Sequence, residues 1–281
     1  MGYSKIKSYA KINLALNIVG KNSYLHKIES IISFLDIYDE ISIKSIKNQN
    51  HQIKFNGKFS ANIYSRNTIS KLFEVIDKKK LLKNKKFNIE INKKIPQKAG
   101  LGGGSMNAGN LLKFFVKKRI IKISQKQIIS ILKSIGSDVI LSLNSTNSIL
   151  TSKNRIKYFL KCKKFHVLIV KPNFGCSTKD IYSKVRKFSK PKFNKPNIKM
   201  FKWDYLTDMN NSLEPISFKK FPQLRKIKSC IQNLAKPSFV RMTGSGSALV
   251  AYFRSKEKCK IAKKKFIKRY KNYWCISSKT I

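Results

Sequence analysis

The segment Pro96-Gln97-Lys98-Ala99-Gly100-Leu101-Gly102-Gly103-Gly104-Ser105-Met106-Asn107-Ala108 constrains the fold more than any other stretch of the chain. Four of the nine residues from Gly100 to Ala108 are glycine, in a sequence that has only 12. A strand-like run, Phe87 to Asn92, leads into it, and a helix-like run, Asn107 to Val116, leads out. Glycine lets a backbone approach a bulky group and take positive φ without steric cost. The start of the following helix offers free N–H groups and the positive end of a dipole. The order strand, glycine loop, helix therefore points to a phosphate cradle, with a plain glycine-rich turn as the competing reading. No Gly-Lys-[Ser/Thr] ends the loop, which excludes a Walker loop, and the consecutive glycines exclude the spaced dinucleotide fingerprint.

The bulk numbers set the class. With 281 residues and 42% hydrophobic content, the chain can bury a core as one large domain or two small ones. It lacks an apolar run of about 18 residues, so no membrane span is expected. Lys5, Lys7 and Lys11 precede only the short stretch Ile12–Val19, which is broken by Asn13 and Asn17, so no signal peptide is expected. The five cysteines, 162, 176, 230, 259 and 275, form no C-x-x-C pair. Such a set suits free thiols in a cytoplasmic protein better than a metal site. The net charge of +48 invites a nucleic-acid reading. Only eight of the 61 basic residues are Arg, however, leaving 53 lysines spread along the whole chain. Arg is the residue of bidentate phosphate and base recognition. Lys, Asn and Ile share AT-rich codons, so nucleotide bias explains the charge, and nucleic-acid binding is expected only as an incidental effect of the field.

Along the chain, Ile6–Val19, Ile28–Asp36 and Tyr38–Lys44 read as strands. Ile69, Leu72, Phe73 and Ile76 fall on one face of a helix over Asn67–Lys79. Ser124-Gln-Lys-Gln127 is a capping box opening a helix to Ser134, and Gly136-Ser137-Asp138-Val139 breaks it. Residues 151–163 read as a surface crossing, and Phe165–Lys171 as a buried strand stopped by Pro172. Residues 184–203 read as a loop or mobile segment. Ser229–Leu234 is a short helix, Phe239–Phe253 a strand, glycine turn and strand, and the last 26 residues a basic helix with a final strand. Strands and helices without regular alternation predict an α+β fold, with a boundary near residue 160 separating domains 1–160 and 161–281.

Four further blocks accompany the loop: Ala10-Lys11-Ile12-Asn13-Leu14, Gly136-Ser137-Asp138-Val139, Asn211-Ser212-Leu213-Glu214-Pro215 and Met242-Thr243-Gly244-Ser245-Gly246-Ser247. In this order and at this spacing, over about residues 7 to 253, the chain resembles the GHMP kinases. The run Gly-Leu-Gly-Gly-Gly-Ser-x-Asn-Ala, with Ala-Lys-Ile-Asn-Leu and Asn-x-Leu-Glu-Pro, resembles those members that act on cytidine-diphospho-methylerythritol. The resemblance implies a two-domain fold, an N-terminal ribosomal-S5-like domain and a C-terminal α/β sandwich domain, with the active site in the cleft between them. It implies ATP and Mg²⁺ as cofactors and phosphorylation of the 2-hydroxyl of that sugar alcohol, on the route to isoprenoid precursors. Other acceptors such as homoserine, and a basic nucleic-acid-binding protein, are the alternatives.

Residue by residue, the resemblance makes Asp138 the base that takes the hydroxyl proton, as phosphoryl transfer to an alcohol requires. Read alone, an Asp after Gly-Ser is more often a cap or turn residue. Lys11 becomes the cation beside it, favouring the carboxylate and the developing alkoxide. ATP is expected along Pro96, Gln97, Lys98, Ala99, Gly100, Leu101, Gly102, Gly103, Gly104, Ser105 and Met106, with Asn67 and Lys93 near the adenine. Mg²⁺ is expected to bridge phosphate oxygens with few protein ligands. Asn13, His26, Tyr182 and the turn Gly244-Ser245-Gly246 are expected at the substrate. The family holds its cytosine with Gly-Tyr-His; here the match is Tyr24-Leu25-His26, so Leu25 stands where the stacking aromatic belongs. Met106 replaces a small hydroxyl residue, and Ile140 a proline.

Overall fold

A computed structural model of the chain describes residues 2–22 and 25–281. They fall into two compact units, Met1–Ala10, Ile37–Gln97 and Gly102–Ser145 in the first, and Lys11–Asp36, Lys98–Leu101 and Thr146–Ile281 in the second. These units interleave along the sequence and so differ from the consecutive halves 1–160 and 161–281. The cause is two long strands, β1 (Ser4–Lys21) and β2 (His26–Ile46), each of which contributes one part to each unit. The three separate strands read from the first 45 residues are thus two, because Asp36 does not interrupt β2. The fold is α+β, with mostly antiparallel pairing.

In the first unit, β4 (Lys86–Asn92) lies between β2, antiparallel, and β3 (Gln52–Asn56), parallel. The register sets Ile41 opposite Ile91 and Ile43 opposite Ile89. Because side chains alternate along a strand, these isoleucines form one apolar face. Three helices cover it: α1 (Thr68–Lys78), α2 (Gly103–Lys117) and α3 (Gln125–Ile135). α1 buries Ile69, Leu72, Phe73 and Ile76, the face its spacing predicts. α3 opens on the Ser124–Gln127 capping box. Phe115 of α2 is fully buried among Phe73 and Phe87, and its truncation to Ala would cost about 3–5 kcal/mol. After α3 comes a 3₁₀ turn, η1 (Val139–Leu143).

In the second unit, β5 (Asn147–Leu150) and β6 (Ile156–Phe159) form a hairpin that pairs with Ser30–Ile32 of β2. The surface crossing expected over 151–163 is partly a strand: Lys153 and Asn154 lie in the exposed hairpin turn, with Asn154 in the left-handed region, and Lys157 lies in β6. A second sheet runs β10-β7-β9-β8, all antiparallel, from β7 (His166–Lys171), β8 (Phe239–Met242), β9 (Leu249–Phe253) and β10 (Trp274–Lys279). Helices α4 (Thr178–Ser183), α5 (Trp203–Thr207), α6 (Glu214–Lys220), α7 (Pro222–Ala235) and α8 (Lys256–Arg269) belong to the same unit. α7 is more than twice the length read as Ser229–Leu234. Pro222 at its first turn opens it, and Leu224, Ile227 and Ile231 continue the buried stripe that its Lys, Arg and Gln residues obscure in the sequence.

Residues 184–203, expected as a loop or mobile segment, are largely irregular chain, and part of that chain is tied down. The fully buried carboxylate of Glu29 accepts the N–H groups of Lys192 at 2.7 Å and Phe193 at 2.9 Å, and Ser189 N–H donates to Ile18 O at 2.7 Å. Phe193 is fully buried. Among the described residues, no helix is long and apolar enough to cross a membrane.

Candidate active site

The glycine loop begins where β4 ends. Gln97 donates its side-chain amide to Phe59 O and Ala61 O at 3.0 and 2.8 Å, which fixes the approach. Pro96 is buried. From Lys98 to Leu101 the backbone is held by backbone. Lys98 O accepts from Cys176 N–H and Ser247 N–H, both at 3.2 Å; Ala99 O accepts from Ala248 N–H at 3.2 Å, and Leu101 O from Lys11 N–H at 3.0 Å. Gly100 O accepts the Thr243 hydroxyl at 3.2 Å. Gly100 itself has φ +73°, and a Cβ there would lie 2.0 Å from Thr243 O. Only glycine satisfies both conditions.

Gly102 is the left-handed N-cap of α2, so the helix starts at Gly103, four residues before the expected start. The glycines that read as loop are the first helical turn. Its lower propensity for glycine is outweighed by tight packing, as with Gly104, whose carbonyl accepts the Thr68 hydroxyl at 2.7 Å. The first intrahelical bond described is Met106 N–H to Gly102 O at 2.9 Å. By helix geometry the N–H groups of Gly103, Gly104 and Ser105 have no intrahelical acceptor and carry the positive end of the dipole. Met106 lies the other way, its side chain fully buried in the core. Farther along α2, Gly109 lets η1 approach: a Cβ would sit 1.7 Å from Ser142 Oγ. Lys113 Nζ also donates to Ser142 O at 3.0 Å. This contact fixes the turn headed by Asp138, which is half-buried and makes no side-chain cap bond to η1. The turn position expected of an isolated Asp is present, without the cap bond.

In the second unit, Lys11 and Asn13 lie two apart on β1 and share a face. Lys11 Nζ, almost fully buried, donates to Asn13 Oδ1 at 2.7 Å. Asn13 Nδ2 donates to Ser30 Oγ at 2.8 Å, and Asn13 N–H to Thr243 Oγ1 at 3.1 Å. Thr243 thus joins β1 to Gly100. The turn Gly244-Ser245-Gly246 follows, with both glycines at positive φ. Asn211 Nδ2 brackets it, donating to Met242 O at 2.7 Å and Gly244 O at 2.8 Å, and Ser245 Oγ meets Thr178 Oγ1 at 3.1 Å. Lys11, Asn13, Lys98–Leu101 and the 244–246 turn are therefore one connected set.

His26 and Tyr182 are brought together, with ring centroids 5.3 Å apart and planes inclined by 51°. Burial, then the positive charge of Lys21, lowers the His26 pKa below the ordinary imidazole value. Leu25 is 67% exposed. Tyr24, which neighbours it, lies outside the described residues. Cys176, beside the loop, has its thiol pushed up to about 11 by burial, which keeps it protonated and inert.

Two expected adenine residues have other partners. Asn67 is the N-cap of α1, accepting the N–H groups of Ile69 and Ser70 at 2.9 and 3.2 Å and donating to Tyr64 O and Ser65 O. Lys93 is buried and ion-paired with Asp39. Sequence reasoning passed over Asp39, Asn211 and Thr243. The last two stand inside blocks already singled out; the signal for Asp39 was its place among the inward positions of an alternating strand.

Comparison with known proteins gives the class of the chain. The model of the GHMP kinases N terminal domain matches residues 67–147, and that of the GHMP kinases C terminal domain residues 200–272. The chain belongs to the GHMP kinases, and it is a kinase. It is 54% identical, over 281 residues and the whole of both chains, to 4-diphosphocytidyl-2-C-methyl-D-erythritol kinase of Pelagibacter ubique (strain HTCC1062). A protein of the same description from Clostridium kluyveri is 32% identical, over 95% of this chain and 96% of that one. In fold, the chain is similar to a crystal structure of 4-(cytidine 5'-diphospho)-2C-methyl-D-erythritol kinase, with a TM-score of 0.78 at 19% identity over 99% of this chain and 100% of that one. A homoserine kinase from Cytophaga hutchinsonii gives a TM-score of 0.73 at 13% identity over 100% and 95% of the two chains.

Proposed function

We propose that this kinase transfers the γ-phosphoryl group of ATP to the 2-hydroxyl of 4-diphosphocytidyl-2-C-methyl-D-erythritol, in the non-mevalonate route to isoprenoid precursors. The observation that carries the reading is the full-length 54% identity to a kinase named for that alcohol. The loop supports it chemically. Phosphoryl transfer needs positioning and charge neutralisation more than covalent help. The N–H groups of Gly103, Gly104 and Ser105 at the start of α2, which have no intrahelical acceptor, suit a polyphosphate. Asp138 is the proposed base for the hydroxyl proton, and Lys11 the proposed cation for the charge that develops as the proton leaves. Asn13 and the 244–246 turn are the proposed contacts of the acceptor, and His26 and Tyr182 those of its cytosine.

Mg²⁺ would arrive with the phosphates rather than on these N–H groups: a hard cation held mainly by phosphate oxygens needs few protein ligands, and the Ser105 hydroxyl at the helix start would be an oxygen available to it. Its chemistry is neutralisation of the phosphate charge. The experiment is direct: folded protein with Mg-ATP and the cytidylyl alcohol should release ADP in step with product. Folded protein that yields no ADP overturns the reading. A parallel panel with homoserine and other small alcohols should give far lower kcat/KM, and a reversed order would reassign the acceptor.

A further inference from the structure

Asp39 lies in the alternating half of β2, inward like Ile37, Ile41 and Ile43, and is fully buried. A carboxylate withdrawn from water needs hydrogen bonds and an opposite charge to compensate it. Asp39 has both. Its Oδ1 accepts the N–H groups of Lys94 at 2.8 Å and Ile95 at 2.9 Å. Its Oδ2 accepts Asn107 Nδ2 at 2.9 Å and is ion-paired with the equally buried Lys93 ammonium.

These donors come from the two ends of the glycine loop. Lys93, Lys94 and Ile95 are the last residues before Pro96, and Asn107 stands one turn beyond Gly103 on α2. Asn107 Oδ1 is buried without a hydrogen-bond partner, so its amide accepts an unfavourable orientation at one end while its Nδ2 reaches Asp39. Lys93 lies directly beneath the helix start: a Cβ on Gly103 would be 3.3 Å from Lys93 Nζ and 3.0 Å from Ile95 Cγ2.

We propose that Asp39 is a positioning residue for the nucleotide. Its carboxylate clasps both ends of the glycine loop, so that the N–H groups of Gly103, Gly104 and Ser105 converge on one phosphate. Lys93 acts through this clasp, its charge spent on Asp39. The inference rests on the proposed use of ATP by this loop. Small displacements of donors at a reacting phosphate carry large rate penalties, which is what a rigid buried clasp prevents.

Asp39→Asn and Asn107→Ala in the full chain test this, by steady-state kinetics and by amide hydrogen exchange without nucleotide. Asp39→Asn should raise the KM for ATP about tenfold or more, leave the KM for the alcohol within about twofold, and speed exchange at residues 102–106 while β7 to β9 keep their protection. Asn107→Ala should shift the same two readouts less, and serves alone if Asp39→Asn does not fold. Unchanged ATP KM with unchanged exchange at 102–106, or a loss confined to thermal stability and kcat, would overturn the proposal. The exchange arm needs no ATP: faster exchange with no ATP turnover in the parent protein would leave the clasp standing and remove the ATP reading instead.

Discussion

The glycine loop and the His26–Tyr182 pair are built by opposite means. The loop is a backbone structure: carbonyls of Lys98, Ala99 and Leu101 meet N–H groups of Cys176, Ser247, Ala248 and Lys11, and glycines sit where a Cβ would collide. The aromatic pair is a side-chain structure, one ring contact of 5.3 Å beside an exposed leucine. A backbone site tolerates side-chain drift. Met106, which the resemblance places where a small hydroxyl residue is expected, is fully buried in the core. A side-chain site has no such reserve: on the family pattern the resemblance implies, the exposed Leu25 stands where an aromatic is expected.

The largest expected effect tests whether either region matters without the proposed chemistry. Asp138→Asn keeps the size of the side chain and the close packing of η1 on α2. It should fold, retain ATP and acceptor KM, and lose about 10²–10⁴ in kcat. Undiminished turnover with circular dichroism matching the parent would remove Asp138 as the base.

Gly100→Ala strikes the backbone region next. The new Cβ meets Thr243 O at 2.0 Å from a left-handed φ, which adds strain of about 1–3 kcal/mol to overpacking of about 1–3 kcal/mol. A clear fall in the urea midpoint is expected, together with weaker ATP use. A variant as stable as the parent would show that the loop is less tightly fixed than its hydrogen bonds imply.

The same contrast explains what could be seen in the sequence. Local signals gave α1 by its apolar spacing, the capping box of α3 by Ser124 and Gln127, and the strand–turn–strand at 239–253 by its glycines. It misplaced the start of α2, since glycine propensity argues against a helix that tertiary packing nonetheless imposes. The hairpin over 147–159 was hidden under lysine and asparagine that compositional bias supplies everywhere. The site blocks were visible as motifs. Their supports were not, since Asp39 and Glu29 are ordinary acids in strands until the fold surrounds them with backbone N–H groups. Scarcity was a usable clue: with 13 acids in the chain, an acid at an alternating position between Ile37 and Ile41 has few reasons to be there.

Leu25→Tyr sharpens the comparison from the side-chain end. It restores the aromatic at the position the family pattern gives it. Stacking of a base on an aromatic contributes about 1–3 kcal/mol, so the KM for the cytidylyl alcohol should fall several-fold while ATP KM stays constant. An unchanged acceptor KM would mean that cytosine does not stack at this position and that Tyr182 carries that contact alone.

The smallest effect is a pH dependence confined to the same end. Burial and Lys21 lower the His26 pKa, so in the folded protein the imidazole stays neutral below its ordinary value of about 6.5. The unfolded chain takes up that proton first, so the contribution of His26 to stability is complete above about 6.5 and lost as pH falls through the lowered value. Binding follows the same sign. Neutral imidazole offers one donor and one acceptor, whereas the cation offers donors only. Acceptor KM should therefore be flat from neutral pH upward and rise a few-fold on acidification through the lowered pKa, with ATP KM unaffected. His26→Gln keeps a donor and an acceptor but cannot titrate, and should flatten the profile. A profile that persists in His26→Gln assigns the titration to another group, and the aromatic end would then hold its base by ring contact alone.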